Sequence, residues 1–225
     1  MLIINFNNCQ LSIVHQRPLI TDNYQLNHMY RIISGQWKAK RISAPKNFTV
    51  RPTTDFAKEA LFSILENRYR IDFASISVLD LFAGIGSLSL EFASRASQDI
   101  TAVEMNVKHA AFINSTAAEL DMSLQVSVQR ADVYDYLKKN RNRKTFDLVV
   151  ADPPFDTDDK KYQELLSLVL NNNYLKEDGI FVLEHQSRNL LQHPNLLDTR
   201  KYGNVSFSFF KANEPAPETA EITAE

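Results

Sequence analysis

The stretch Val78–Ala93, "VLDLFAGIGSLSLEFA", decides the fold. It begins as a buried strand that closes around Leu79-Asp80. Gly84-Ile85-Gly86 then makes a tight turn, and a helix is expected from about Ser87. A strand that passes through a glycine turn into a helix is a unit of a doubly wound sheet, where ligands lie outside the carboxyl ends of the strands. Glycines there let the backbone approach a ligand closely. The spacing resembles G-x-G-x-x-G with Ser89 at the third glycine. Taken alone, it fits a plain strand-to-helix turn as well.

Working outward, residues 76–210 alternate between strand and helix patterns. Strands are expected at 76–82, 99–104, 125–130, 146–151, 179–185, 197–203 and 204–210. Helices are expected at 88–96, 107–120, 133–140, 159–171 and 187–192. This order predicts an α/β fold, a doubly wound Rossmann-like sheet covered on both faces. The last two strands follow so closely that one is expected to run antiparallel. Upstream, residues 52–70 read as a helix, with Thr54 as N-cap, Asp55 in the first turn and Phe56, Ala60 and Ile64 along one face. Residues 30–51 read as a small basic β-hairpin turning at Gly35-Gln36.

The chain has 225 residues, room for one α/β domain with an appendage. Its one cysteine, Cys9, excludes an internal disulfide framework and suits a reducing, cytoplasmic setting. No apolar run approaches the roughly 18–20 residues of a membrane span. Residues 1–28 carry no clear pattern and are read as an extension, either untranslated (with Met29 as the start) or disordered. The start lacks a basic leader, so no secretory signal is expected.

The net charge of −2 argues against a nucleic-acid partner, but its distribution argues for one. Residues 29–54 carry six bases (Arg31, Lys38, Lys40, Arg41, Lys46, Arg51) and no acid. The segment 212–225 carries four glutamates and no base, and is expected to be a disordered tail. Without those glutamates the balance turns from −2 to +2. Local charge makes the electrostatic footprint. Trp37 among these bases adds a stacking surface, although such a hairpin also fits a merely solvated face.

Asp80 is badly placed for a dinucleotide phosphate and well placed for a cation. Glu104 closes the strand 99–104, where an acid accepts hydrogen bonds from ribose hydroxyls. Asp132 follows the third strand and reads as a helix N-cap, an adenine contact, or both. Phe82, Met105 and Val133 are expected to line the same ligand. A ligand with adenine, ribose and a positive charge describes S-adenosylmethionine. The five histidines show no metal-ligand spacing.

The fourth strand ends in Asp152-Pro153-Pro154-Phe155, on the same sheet edge. Two prolines stiffen the backbone and exclude helix continuation. An exocyclic base amine is a poor nucleophile because its lone pair is delocalised into the ring. Hydrogen bonds from it to Asp152 and to a carbonyl near Pro153 favour a pyramidal nitrogen, and Phe155 stacks on a flipped base. The lack of a core cysteine argues against ring-carbon methylation through a thiol adduct. Glu184-His185 ends the fifth strand on the same side, and the histidine reads as structural.

The segments "RIISGQWKAKRISAP", "RPTTDFAKEALFSIL", "VLDLFAGIGSLSLE", "VVADPPF" and "FVLEH" resemble, in order and spacing, the RsmD family over residues 30–211. Those are bacterial methyltransferases acting on a guanine N2 of 16S ribosomal RNA. The resemblance implies a class I S-adenosylmethionine-dependent methyltransferase fold. It implies cofactor binding at Asp80, Gly84, Gly86, Glu104 and Asp132, and catalysis at Asp152, Pro153, Pro154 and Phe155. It further implies a partly assembled small subunit as partner, and a monomer is expected. Ile85 departs from the small residue usual in that turn. Three other readings compete: an amino-methyltransferase of DNA or another RNA, a non-catalytic ribosome-assembly factor, and a nicotinamide dehydrogenase. The last leaves the double proline unexplained.

Overall fold

The computed structural model describes residues 29–45, 48 and 54–213. Lys46, Arg51, the segment 1–28 and the tail from 214 onward lie outside the described residues, and the expectations made for them stay there. In chain order the elements are β1 (Met29–Arg31), β2 (Arg41–Ser43), α1 (Asp55–Asn67), β3 (Ser77–Leu81), α2 (Ser87–Ser94), β4 (Asp99–Glu104) and α3 (Val107–Glu119). Then follow β5 (Val126–Arg130), α4 (Val133–Lys139), β6 (Phe146–Ala151), α5 (Asp159–Leu170), β7 (Leu175–Gln186), β8 (Leu196–Tyr202) and β9 (Val205–Lys211).

Seven strands form one sheet in the order β5-β4-β3-β6-β7-β9-β8. β3 pairs in parallel with β4 on one side and β6 on the other, so the winding reverses at β3. That reversal opens a crevice at the carboxyl ends of β3 and β6. β9 runs antiparallel to both β7 and β8, as the closely spaced last strands led us to expect. β3 is buried along its whole length, which explains its unbroken apolar reading. The edge strand β8 is largely exposed.

Alternate residues of each strand feed two cores. Val78, Ala102 and Val150 face α1, α2 and α3, while Leu79, Val103 and Val149 face α4 and α5. Each fully buried side chain of this kind contributes about 1.5–3 kcal/mol relative to exposure.

Three expectations need correction. Residues 187–192 form no helix: after β7 the chain turns at Ser187 and crosses to the sheet edge, where the Ser187 amide donates to the Asn204 carbonyl at 3.0 Å. The buried face of α1 holds Ala57, Lys58, Leu61, Phe62 and Leu65, and of the expected stripe Phe56, Ala60 and Ile64 only Ile64 packs, in part, against the core. Lys58 is the reason the pattern misled, because a lysine counts as polar in any periodicity and here is fully buried. Finally, Ala212 and Asn213 do not belong with the tail. The Ala212 amide donates to the Gly179 carbonyl at 3.2 Å, and the Asn213 amide group donates to the Leu170 carbonyl at 2.8 Å.

The hairpin pairs Met29 with Ser43, Tyr30 with Ile42 and Arg31 with Arg41. It is docked on α2 by a buried carboxylate. Glu91 accepts the backbone N–H of Ile33 at 2.7 Å and of Ser34 at 3.0 Å. It also pairs with Lys58 at 3.4 Å and Arg95 at 2.9 Å. Lys58 in turn donates to the Arg31 carbonyl at 2.6 Å. Burial pulls the Lys58 ammonium below its usual pKa, and Glu91 opposes that pull. Gly35 sits so close to the end of α2 that a Cβ there would lie 1.8 Å from the Ser94 carbonyl oxygen, and its φ of +81° also demands glycine.

Glu91→Ala leaves Lys58 as a buried charge and two backbone donors without their acceptor. The expected loss is about 3–5 kcal/mol in urea unfolding. A loss below about 1 kcal/mol would show that the hairpin is held by other means.

Candidate active site

Three strand ends converge on one cavity of about 860 Å³. Asp80 near the end of β3, Glu104 at the end of β4 and Asp152 after β6 all line it. Asp80 is 2% exposed and accepts a 2.5 Å hydrogen bond from Ser89. The residue at the third glycine position of the turn therefore aims this carboxylate, a role the sequence pattern did not reveal.

The glycine turn closes on Glu104. One carboxylate oxygen accepts from the Gly84 amide at 2.8 Å, and the other accepts from the Asn106 amide at 2.7 Å. His109 Nδ1 lies 3.6 Å away. A carboxylate has about four lone-pair sites, so Glu104 can shape the turn and still accept from ligand hydroxyls. Gly84 and Gly86 have φ of +56° and +80°, and a Cβ on Gly86 would meet Ile113 at 3.0 Å. The Ile85 side chain is 3% exposed and packs with the core, which accommodates its size.

All but one of the residues expected to bind the cofactor line the cavity: Asp80, Phe82, Gly84, Glu104, Met105, Asp132 and Val133. Gly86 does not, and serves as the N-terminal cap position of α2. Asp132 caps α4 by accepting from the Asp135 amide at 3.0 Å. His109, Tyr134, Glu184, Tyr202 and Asn204 also line the cavity. His185 points elsewhere, bonded to Ser208 Oγ at 2.8 Å.

The corner Asp152–Phe155 opens onto the same space. The Pro154 carbonyl accepts from the Thr157 amide at 2.9 Å, and the Phe155 carbonyl accepts from the Gln186 side chain. The Pro154 and Phe155 carbonyls are thus occupied within the corner itself.

Burial, with the charges of Asp152 and Glu104 and against the opposing bond from Ser89, raises the Asp80 pKa to about 7. Such a cluster of acids favours a ligand that brings positive charge.

The hairpin bases divide. Arg31 is engaged by Asp55 at 3.2 Å and Glu59 at 3.0 Å, and Lys40 by Glu119 at 3.0 Å. Trp37 is half-buried against the core. Lys38 and Arg41 are exposed.

Residues 30–211 match the family model described as "Conserved hypothetical protein 95". The chain belongs to this family, the RsmD family. The "Ribosomal RNA small subunit methyltransferase D" of Haemophilus influenzae is 31% identical over 185 residues, 80% of this chain and 93% of that protein. Its namesake from Buchnera aphidicola is 30% identical, over 80% of this chain and 90% of that one. The solved Escherichia coli structure yhhF, described as a candidate methyltransferase, superposes with a TM-score of 0.71. It is 26% identical, covering 83% of this chain and 99% of that one. The RsmD chain thus has the class I methyltransferase fold, whose methyl donor is S-adenosylmethionine.

The acid cluster sets a pH dependence. Asp80 has its folded pKa raised from 3.8 to about 7, so folding is penalised as pH rises between those values and no further above 7. A cationic ligand reverses the sign, because it favours ionised Asp80. S-adenosylmethionine affinity is expected to rise from pH 6 to pH 8 in calorimetric titrations, and the rise is expected to vanish in Asp80→Asn. A flat wild-type profile would remove Asp80 from the ligand's charge balance.

Proposed function

We propose that this chain transfers the methyl group of S-adenosylmethionine to the exocyclic N2 of a guanine in 16S ribosomal RNA, within an assembled or assembling small subunit. The observation that carries this reading is that Asp152, Pro153, Pro154 and Phe155 line the same cavity as Asp80 and Glu104. The relatives named for small-subunit ribosomal RNA support the substrate class. In this reading the chain is a cytoplasmic monomer. Residues 29–54 form an RNA-binding arm and residues 55–211 the methyltransferase domain.

When bound, S-adenosylmethionine supplies a methyl group on a sulfonium, whose thioether is a good leaving group. Glu104 accepts the ribose hydroxyls, Asp132 meets the adenine edge, and Asp80 balances the positive charge of the amino-acid end. Phe82, Met105 and Val133 flank the adenosine. The Asp152 carboxylate and the Pro153 carbonyl accept the two N–H bonds of the guanine amine. That arrangement turns its lone pair out of conjugation and toward the methyl carbon. As the new C–N bond forms, the C–S bond breaks, and Asp152 is placed to take the surplus proton. The paired prolines hold the carbonyl on target, and Phe155 stacks on the flipped base. Position and fixed charge supply the rate. Lys38 and Arg41 are the exposed bases with which the arm meets phosphates, joined in this reading by Lys46 and Arg51. Arg31, Lys40 and Trp37 hold the arm in place.

Two measurements test the proposal. The protein is incubated with labelled S-adenosylmethionine and undermethylated small subunits, naked 16S RNA or DNA, and the digests are examined by nucleoside mass spectrometry. N2-methylguanosine from the subunits is expected, whereas N6-methyladenine would keep the corner and change the acceptor. Asp152→Ala is expected to bind the cofactor normally and lose turnover about a hundredfold or more. Full activity in that variant would sink the mechanism.

A further inference from the structure

The apolar stripe Phe56, Ala60, Ile64 on α1 runs from the exposed Phe56 to Ile64, which packs at the margin of the core. It faces the β8–β9 edge. Phe56 is 67% exposed, and its ring meets Tyr202 edge to face, with centroids 5.9 Å apart at 74°. Tyr202 stands at a junction: it lines the active cavity and also a second, shallower groove of about 300 Å³ between α1 and β8. That groove is lined by Ser63, Ile64 and Asn67 from α1, by Arg68 at its end, and by Arg200 with Tyr202 from β8. A continuous path therefore leads from the reaction site, past an aromatic pair, to two guanidiniums.

The charges along the path have one sign in excess. Arg68 and Arg200 share a single carboxylate oxygen of Asp198 through their Nε atoms, at 3.3 and 2.6 Å. Both side chains stay about half exposed, at 51% and 46%. Two cations on one anion leave a net positive charge, and each guanidinium has further donors in a fork that suits phosphate. The acids of α1 lie on its other flank. Asp55 and Glu59 hold Arg31 of the hairpin, and Glu66 lies 4.0 Å from Arg95. The groove side of the helix, with Ser63, Ile64 and Asn67, thus carries no acid.

Here Phe56 is exposed and Tyr202 half-buried, and accessible aromatic rings followed by a cationic groove are how proteins track a single strand, with nucleobases on the rings and phosphates on the cations. We propose that the α1–β8 groove carries the RNA strand flanking the methylated nucleotide, with Phe56 and Tyr202 as its stacking platform and Arg68 and Arg200 as its phosphate contacts. This rests on the RNA substrate proposed above. It adds a second contact surface beside the hairpin, whose Arg31 and Lys40 are already engaged with acids of the fold.

The test uses the full chain, with undermethylated small subunits as substrate and a short single-stranded RNA oligonucleotide as binding probe. Phe56→Ala is expected to raise KM for the subunits about tenfold or more. Affinity for S-adenosylmethionine and the circular dichroism spectrum should hold, and Phe56→Tyr, which keeps the ring, should restore KM. Arg68→Gln with Arg200→Gln is expected to weaken oligonucleotide binding and to flatten its salt dependence by about one unit of slope per lost phosphate contact. Wild-type KM in Phe56→Ala together with an unchanged slope in the arginine pair overturns the groove, even if methylation of the subunits stands. If the wild-type protein methylates no RNA, the functional reading fails separately. Photo-crosslinking of the bound oligonucleotide then decides the groove: adducts on Phe56 or Tyr202 peptides uphold it, and adducts only elsewhere, or none, overturn it.

Discussion

The buried carboxylate of Glu91 is the interaction on which the arrangement of this molecule depends. It stands on α2, the helix that follows the glycine turn, and reaches the hairpin, α1 and its own helix end at once. Removing a charge from water is costly unless its lone pairs are filled, and here they are filled by backbone N–H groups and two cations. The same cluster touches the ligand turn. Lys58 lies 3.4 Å from Ser87 Oγ, and the Tyr30 hydroxyl donates to the Ile85 carbonyl at 3.0 Å. Burial, with help from Asp80 and Glu91, keeps the Tyr30 phenol protonated at all ordinary pH. The hairpin is therefore a strut of the cofactor turn as well as a surface for bases.

A second constraint is the gathering of acids at the reversal of the sheet. Parallel strands bring their carboxyl ends to one edge, so acids distant in sequence become neighbours. The charges of Asp152 and Glu104 raise the cost of ionising Asp80, and a neutral ligand would leave that repulsion in place. A sulfonium that also bears an ammonium relieves it. The electrostatics of the acid cluster and the chemistry of methyl transfer ask for the same ligand charge.

Much of this was legible in the chain. The bounds of β4 and β6 coincide with their sequence expectation because each is a continuous buried run between polar ends. The gathering of Asp80, Glu104 and Asp132 at one cavity was legible because the strand-end rule converts a position in sequence into a place at the crevice. What escaped came from contacts that no local pattern encodes. Arg31 and Lys40 looked like free bases until folding brought Asp55, Glu59 and Glu119 beside them. Tyr202 and Asn204 join the cavity only because β9 folds back antiparallel on β7, about fifty residues after Asp152. Phe56, Ala60 and Ile64 were read as the helix's apolar face because lysine is counted as polar, whereas the buried face includes Lys58.

Consider finally the order in which the chain emerges during synthesis. The hairpin strands come first, yet their acceptor on α2 lies 57–58 residues further along. A two-stranded ribbon alone in water is marginal at best. The arm therefore lacks its buried anchor until α2 has formed and turned Glu91 inward. It is made before the helix that seats it. Its seating also braces the turn at Ile85 and Ser87, so the arm and the ligand turn acquire their final shape together.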